Sequence, residues 1–244
     1  MTPRCVLPGR IFISFEGGEG SGKTLQAKTL HERLWAIDVQ AKYVHEPGST
    51  PLGTYLRDCL LRKPRLSREA ELLLFEAARA ELVISEIEPS LRAGFTVIAD
   101  RFEASSIAYQ GYGRRIDLGV IQYLNALATR GIYPELTFLL DVDPAEGLRR
   151  VGTPQLSLPL EPGDAAQPGR QDVEGQRRFE DLPLSFHERV RDGYLNLARG
   201  DPDRWIVIDG TRTIADISNE VWRHVSKRLK LPVDEGAIHI RSKS

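Results

Sequence analysis

Eight residues near the start of the chain, Gly17-Gly18-Glu19-Gly20-Ser21-Gly22-Lys23-Thr24, have the types and spacing to hold a nucleotide phosphate. They match G-x-x-x-x-G-K-[ST], the P-loop pattern. Glycines admit the close approach of backbone to phosphate that side chains would block. Successive N–H groups form an anion nest, and a helix beginning there adds the partial positive charge of its N-terminus. Lys23 supplies a point charge for the outer phosphates of a nucleotide such as ATP, and the Thr24 hydroxyl can ligate Mg²⁺. A glycine-rich turn without a ligand could carry the same letters. Here an apolar run (11–15) precedes the motif and a periodic segment (25–37) follows it, the strand–loop–helix setting that the motif requires.

Other positions must supply the rest of the chemistry. Asp100-Arg101 closes another apolar run. An acid at the tip of a buried strand is placed to organise Mg²⁺, and the adjacent arginine can grip an anionic substrate bidentately; the alternative is an ion pair capping the next helix. A helix is expected over about 67–89, with Leu73, Ala77, Ala80, Ile84 and Ile87 as its core stripe. Phe75 and Arg79 lie one turn apart on the other side, as a ring to stack on and a guanidinium, or as a solvated patch. Ser105, Ser106, Tyr109 and Gln110 offer hydroxyls, a ring and an amide, the inventory for reading a base edge. His45-Glu46-Pro47-Gly48 forms a proline-shaped loop, either a substrate loop or a plain connection. The segment 152–176 is rich in proline and glycine, and Arg149, Arg150, Arg177 and Arg178 frame it, with Arg170 inside. It reads as a mobile lid closing over phosphates or as a surface insertion.

Five short apolar runs (11–15, 41–45, 95–99, 136–142 and 205–208) alternate with helical patterns, which predicts a parallel sheet covered on both faces. Ligands of such sheets bind beyond the carboxyl ends of the strands, where these candidates stand. The expected organisation is an N-terminal extension over 1–9, one α/β domain over 10–230 with a lid at about 149–180, and a tail over 231–244. A net charge of −1 gives no global field to recruit nucleic acid or a membrane. Two cysteines, Cys5 and Cys59, exclude a disulfide scaffold and fit a reducing cytoplasm. No run approaches a membrane span, and no signal peptide is recognisable at the start.

Taken in order, these motifs resemble the bacterial type of thymidylate kinase over roughly 10–229. The resemblance rests on Phe15-Glu16-Gly17 leading into Gly22-Lys23-Thr24, on Glu46-Pro47-Gly48 with Thr50 and Leu52-Gly53, and on Phe75-x-x-x-Arg79. Asp100-Arg101, Ser105-Ser106, Ala108-Tyr109-Gln110-Gly111 and Arg178-Phe179-Glu180 complete it. It implies the P-loop NTP hydrolase fold, a three-layer α/β/α arrangement on a five-stranded parallel sheet, in a homodimer. The implied reaction moves the γ-phosphoryl of MgATP onto dTMP. By resemblance, the loop from Gly17 through Gly18, Gly20, Ser21 and Gly22 to Thr24 holds the ATP phosphates, Glu19 meets the sugar 3′-hydroxyl of dTMP, and Phe75 stacks on thymine with Arg79 at the base edge. Arg101 is similar to the arginine on the dTMP phosphate, Asp100 to the acid that orders Mg²⁺, and Tyr109 and Gln110 to residues beside base and sugar. Arg212 lies near the adenine position. Arg178 resembles a lid arginine that meets transition-state charge, so Arg178→Ala is expected to cut turnover with little effect on dTMP affinity. His45 stands where many relatives have arginine, which suggests dTMP binding that varies with pH near the histidine pKa. The rivals are a P-loop kinase for dUMP, dCMP or a deoxynucleoside, and a nucleotide-binding switch; a GTPase would need an N-K-x-D motif, which is missing.

Overall fold

A computed structural model describes residues 10–62, 66–152 and 178–231. The expected extension over 1–9, nearly all of the proline-rich segment with Arg170 and Arg177, and most of the C-terminal tail lie outside the described residues.

Five strands, β1 (Phe12–Glu16), β2 (Ala41–His45), β3 (Thr96–Asp100), β4 (Leu136–Asp141) and β5 (Trp205–Asp209), form one parallel sheet in the order β2-β3-β1-β4-β5. Every residue of β1 and β3 is buried, as expected of central strands covered on both faces. On one face, Leu30 and Leu34 of α1 (Lys23–Trp35) and Val221 and Val225 of α9 (Ile214–Leu229) pack on Ile13, Phe15 and Phe138. On the other, Leu82 of α3 (Arg68–Leu82) meets Phe12 and Val97, and Val190 and Tyr194 of α8 (Leu184–Gly200) meet Leu139 and Trp205. The remaining helices are α2 (Pro51–Arg62), α4 (Glu88–Ala93), α5 (Glu103–Ser106), α6 (Leu118–Thr129) and α7 (Pro144–Gly152). Side chains close several helix starts: Ser67 accepts from the Ala70 N–H, Asp117 from Val120 and Thr213 from Asp216. Among the described residues, no helix is long and apolar enough to cross a membrane.

The stripe predicted for α3 is on the wrong face. Leu73 is 55% exposed and Ile84 50% exposed, and Ala77 is exposed too, whereas Leu72, Glu76, Arg79, Leu82 and Val83 are buried. Of the predicted stripe, only Ile87 reaches the core; it ends a π-helical turn, Val83–Ile87, that carries α3 into α4. Apolar periodicity misassigned this helix because its buried side includes three charged residues, Glu71, Glu76 and Arg79, the last two paired with each other. A second π-helical segment, Ile107–Gly113, follows α5 and carries Tyr109 and Gln110.

Candidate active site

The P-loop lies between the end of β1 and the start of α1. Gly17 has φ 146° and Gly20 has φ 64°, conformations that favour glycine. A Cβ on Gly20 would lie 2.1 Å from the Gly147 carbonyl oxygen, so α7 packs directly against the loop. Gly22 caps α1 without a side-chain bond, which leaves the first N–H groups of the helix facing the loop's concavity. Lys23 is nearly buried and its Nζ donates to the Gly18 carbonyl at 3.1 Å, spanning the loop. Burial and the Arg101 charge lower its pKa.

Asp100 and Arg101 follow from β3, which lies beside β1. The Thr24 hydroxyl donates to Asp100 Oδ2 at 2.5 Å. Asp100 Oδ1 and Ser21 Oγ are buried without a hydrogen-bond partner among the described residues. A hydroxyl and a carboxylate with a free buried oxygen are the oxygen donors a Mg²⁺ ion takes, so this pair fits that ion. Arg101 then enters the left-handed region at φ 73°, uncommon for a non-glycine residue. Its guanidinium donates to the Gly17 carbonyl, Ser105 Oγ, Tyr194 OH, Glu19 Oε1 and Tyr109 OH at 3.1–3.3 Å. Burial alone would raise the Glu19 pKa, but Arg101, Lys23 and the Tyr109 hydroxyl outweigh it and hold the carboxyl at about 2. Glu16, beneath them, is pushed up to about 7 by burial, although Ser105 Oγ, Tyr194 OH and the Phe102 N–H all donate to it.

A cavity of about 160 Å³ opens beside this network. Glu19, Phe75, Arg79, Arg101, Ser105, Ser106, Tyr109 and Gln110 all line it, so the eight positions expected on the acceptor side share one wall system. Phe75 lies 6.1 Å from Phe179, which stands edge-on to Tyr109 at 5.8 Å. Arg57 and Leu61 of α2 also line the cavity and were missed. The available signal was the loop before them: Arg57 donates to the Pro47 carbonyl and so belongs to the same structure as Glu46.

Four of the expected residues are engaged with protein partners here. Arg79 lies at the cavity, but its donors are taken by protein: Glu46 at 2.7–3.2 Å, Glu76 at 2.6 Å, Asn125 at 2.7 Å, Ser106 at 3.0 Å and the Phe102 carbonyl at 3.2 Å. It therefore braces the cavity wall that it lines. Burial pushes Glu46 up to about 7 despite this arginine. Arg178 does not reach the P-loop. It donates to the Leu60 carbonyl and ion-pairs with Glu71 at 2.6 Å, because a buried carboxylate stands closer to it than the phosphate site does. Arg150 of α7 is also ion-paired, with Glu146 at 2.8 Å, but it contacts the loop, donating to the Gly20 carbonyl at 3.5 Å and the Gly210 carbonyl at 2.9 Å. Arg212 is exposed and ion-paired with Glu220, although its turn adjoins the P-loop through Gly210. The His45 ring is outside the cavity wall: Nδ1 pairs with Ser49 Oγ at 2.9 Å, and burial with nearby Arg57 lowers its pKa.

Comparison with known proteins matches this arrangement to one family. The family model described as Thymidylate kinase matches residues 15–221. A thymidylate kinase of Deinococcus radiodurans is 42% identical over 89% of this chain and 97% of its own length. One from Solidesulfovibrio magneticus is 42% identical over 90% of this chain and 100% of its own. A crystal structure of thymidylate kinase from Ehrlichia chaffeensis superposes with a TM-score of 0.67 at 34% identity, covering 89% of this chain and 99% of that one. With the P-loop, the Asp100-Arg101 corner and the cavity in one fold, the chain belongs to the thymidylate kinase family.

Proposed function

We propose that the chain is a dTMP kinase that transfers the γ-phosphoryl group of ATP to dTMP, giving dTDP and ADP. The observation that carries this reading is that Arg101 is shared: it bonds to the Gly17 carbonyl of the P-loop and lines the cavity. The cavity takes dTMP with its base against Phe75, its sugar near Glu19 and Tyr109, and its phosphate at Arg101. A dTMP phosphate oxygen attacks the γ-phosphorus while the bond to the β–γ bridging oxygen breaks and ADP leaves. Such a transfer is helped mainly by positioning and by positive charge. Lys23 and the open N–H groups of the loop hold the ATP phosphates. Arg150, rather than Arg178, is the described arginine suited to meeting the transferred group. Mg²⁺ held by Thr24 and Asp100 would offset phosphate charge.

The assay is ADP release with MgATP and each of dTMP, dUMP, dCMP and thymidine. The highest kcat/KM is expected for dTMP, and no turnover for thymidine, which lacks the acceptor phosphate. Equal rates for all four would reject the reading.

Two further parts belong to it. The enzyme works as a homodimer through α3, with the π-helical turn that follows it, and the adjacent α6; Leu73 and Ile84 on one side and Val120, Tyr123 and Leu127 on the other are exposed at helical spacing. Sedimentation of Tyr123→Glu with Leu127→Glu should give half the native mass; an unchanged mass rejects this face. The compartment is the cytoplasm, in keeping with the free thiol of Cys59.

A further inference from the structure

The most heavily engaged carboxylate outside the phosphate site is Glu71 of α3, which is fully buried. Arg114 donates to both its oxygens at 2.9 and 3.1 Å, and Arg178 donates to Oε2 at 2.6 Å. The Gln110 amide donates its Nε2 to Oε1 at 2.9 Å. Among the described residues, every hydrogen-bond partner of Glu71 thus arrives with an N–H. Gln110 lines the cavity and is itself buried, so its amide has two orientations to choose between. Glu71 accepts only an N–H from it, which leaves the carbonyl Oε1 as the amide atom available to the cavity that Gln110 lines.

We propose that Glu71 is a positioning residue for base specificity: by holding Gln110 with its carbonyl toward the cavity, it makes the site accept a pyrimidine with N3–H and reject one with a bare N3. The inference rests on the dTMP reading above. Thymine and uracil present N3–H as a donor to that oxygen. Cytosine presents a lone pair there, and two acceptors facing each other in a buried site are unfavourable. Sites built around one buried hydrogen bond discriminate strongly against a ligand that cannot make it.

Glu71→Gln tests this with almost no change in shape. Arg114 and Arg178 claim the new amide oxygen and leave its NH₂ for Gln110, which must then flip and turn its own NH₂ to the cavity. The kcat/KM ratio of dTMP to dCMP should fall by about a hundredfold or more, with the dTMP loss mostly in KM. Exchanging the pair, Glu71→Gln with Gln110→Glu, should restore the preference for dTMP, because an acceptor again faces the base. Should the single variant fail to fold, selective ¹⁵N labelling of glutamine in the wild-type chain decides the matter. The Gln110 NH₂ protons should stay protected from exchange with and without dTMP. A single variant that keeps the wild-type ratio, an exchanged pair without preference, or freely exchanging Gln110 protons each overturns the proposal. A wild-type enzyme indifferent to dTMP and dCMP would instead overturn the dTMP reading beneath it.

Discussion

The two ends of the site are built by opposite rules. At the P-loop, the recognising groups are mostly backbone, and two buried side-chain oxygens, Ser21 Oγ and Asp100 Oδ1, have no partner among the described residues. At the cavity and just behind it, the charged groups satisfy one another: Arg79 with Glu46 and Glu76, Arg101 with Glu19, and Arg114 and Arg178 with Glu71. The first end is prepared for phosphate and metal. The second is a set of neutralised pairs whose fixed geometry shapes a hole. Substitutions should therefore cost turnover at the first end, and affinity or stability at the second.

The largest effect expected is from Arg150→Ala. Loss of a cation at the transferred phosphoryl group should lower kcat by about 10³-fold, with little change in dTMP KM or thermal stability. The matching change Arg178→Ala removes an ion pair with Glu71 behind the cavity residue Gln110, so it should raise dTMP KM more than it lowers kcat. Steady-state kinetics on the two variants decides between them, and the reverse pattern would break the comparison.

Next is Arg79→Met, which leaves Glu46 and Glu76 buried without their cation. Removing one partner of a buried pair costs about 3–5 kcal/mol. Urea denaturation should show that loss, while Lys23→Met, at the other end, should abolish turnover and leave the midpoint nearly in place.

The smallest effect is read against pH. The Glu19 pKa is about 2 in the folded chain against an ordinary 4.5. A depressed carboxyl contributes stability above pH 4.5, and that contribution fades as pH falls toward 2. The Tm gap between wild type and Glu19→Gln should be widest near neutrality and narrow between pH 4.5 and 3. A gap that widens in acid would show that Arg101 does not stabilise the Glu19 carboxylate.

The same contrast explains what could be read before the structure was known. Strands were legible because β1 and β3 are short, mostly apolar and wholly buried, and their ends fell within a residue of expectation. The P-loop was legible because backbone recognition needs glycines at fixed spacing. Arg79 and Arg178 were recognised as important, but their protein partners were not foreseen. Their partners, Glu46 and Glu71, lie 33 and 107 positions away, and no local pattern announces such pairs. The buried face of α3 was lost for a related reason. Glu76 and Arg79 count as surface residues until their mutual pairing is seen. Residues 51–62, which form α2, went unassigned, and with them Arg57 and Leu61.

The left-handed turn at Arg101 has a consequence for how this enzyme could be rebuilt. Asp100 turns to Thr24 and Arg101 to the cavity, so a single peptide unit joins the two halves of the reaction. Everything upstream of that joint could serve any acceptor that carries a phosphate. A different base pocket, grafted onto the π-helical segment and the middle of α3, would inherit the phosphoryl-transfer end unaltered provided residue 101 kept its twist.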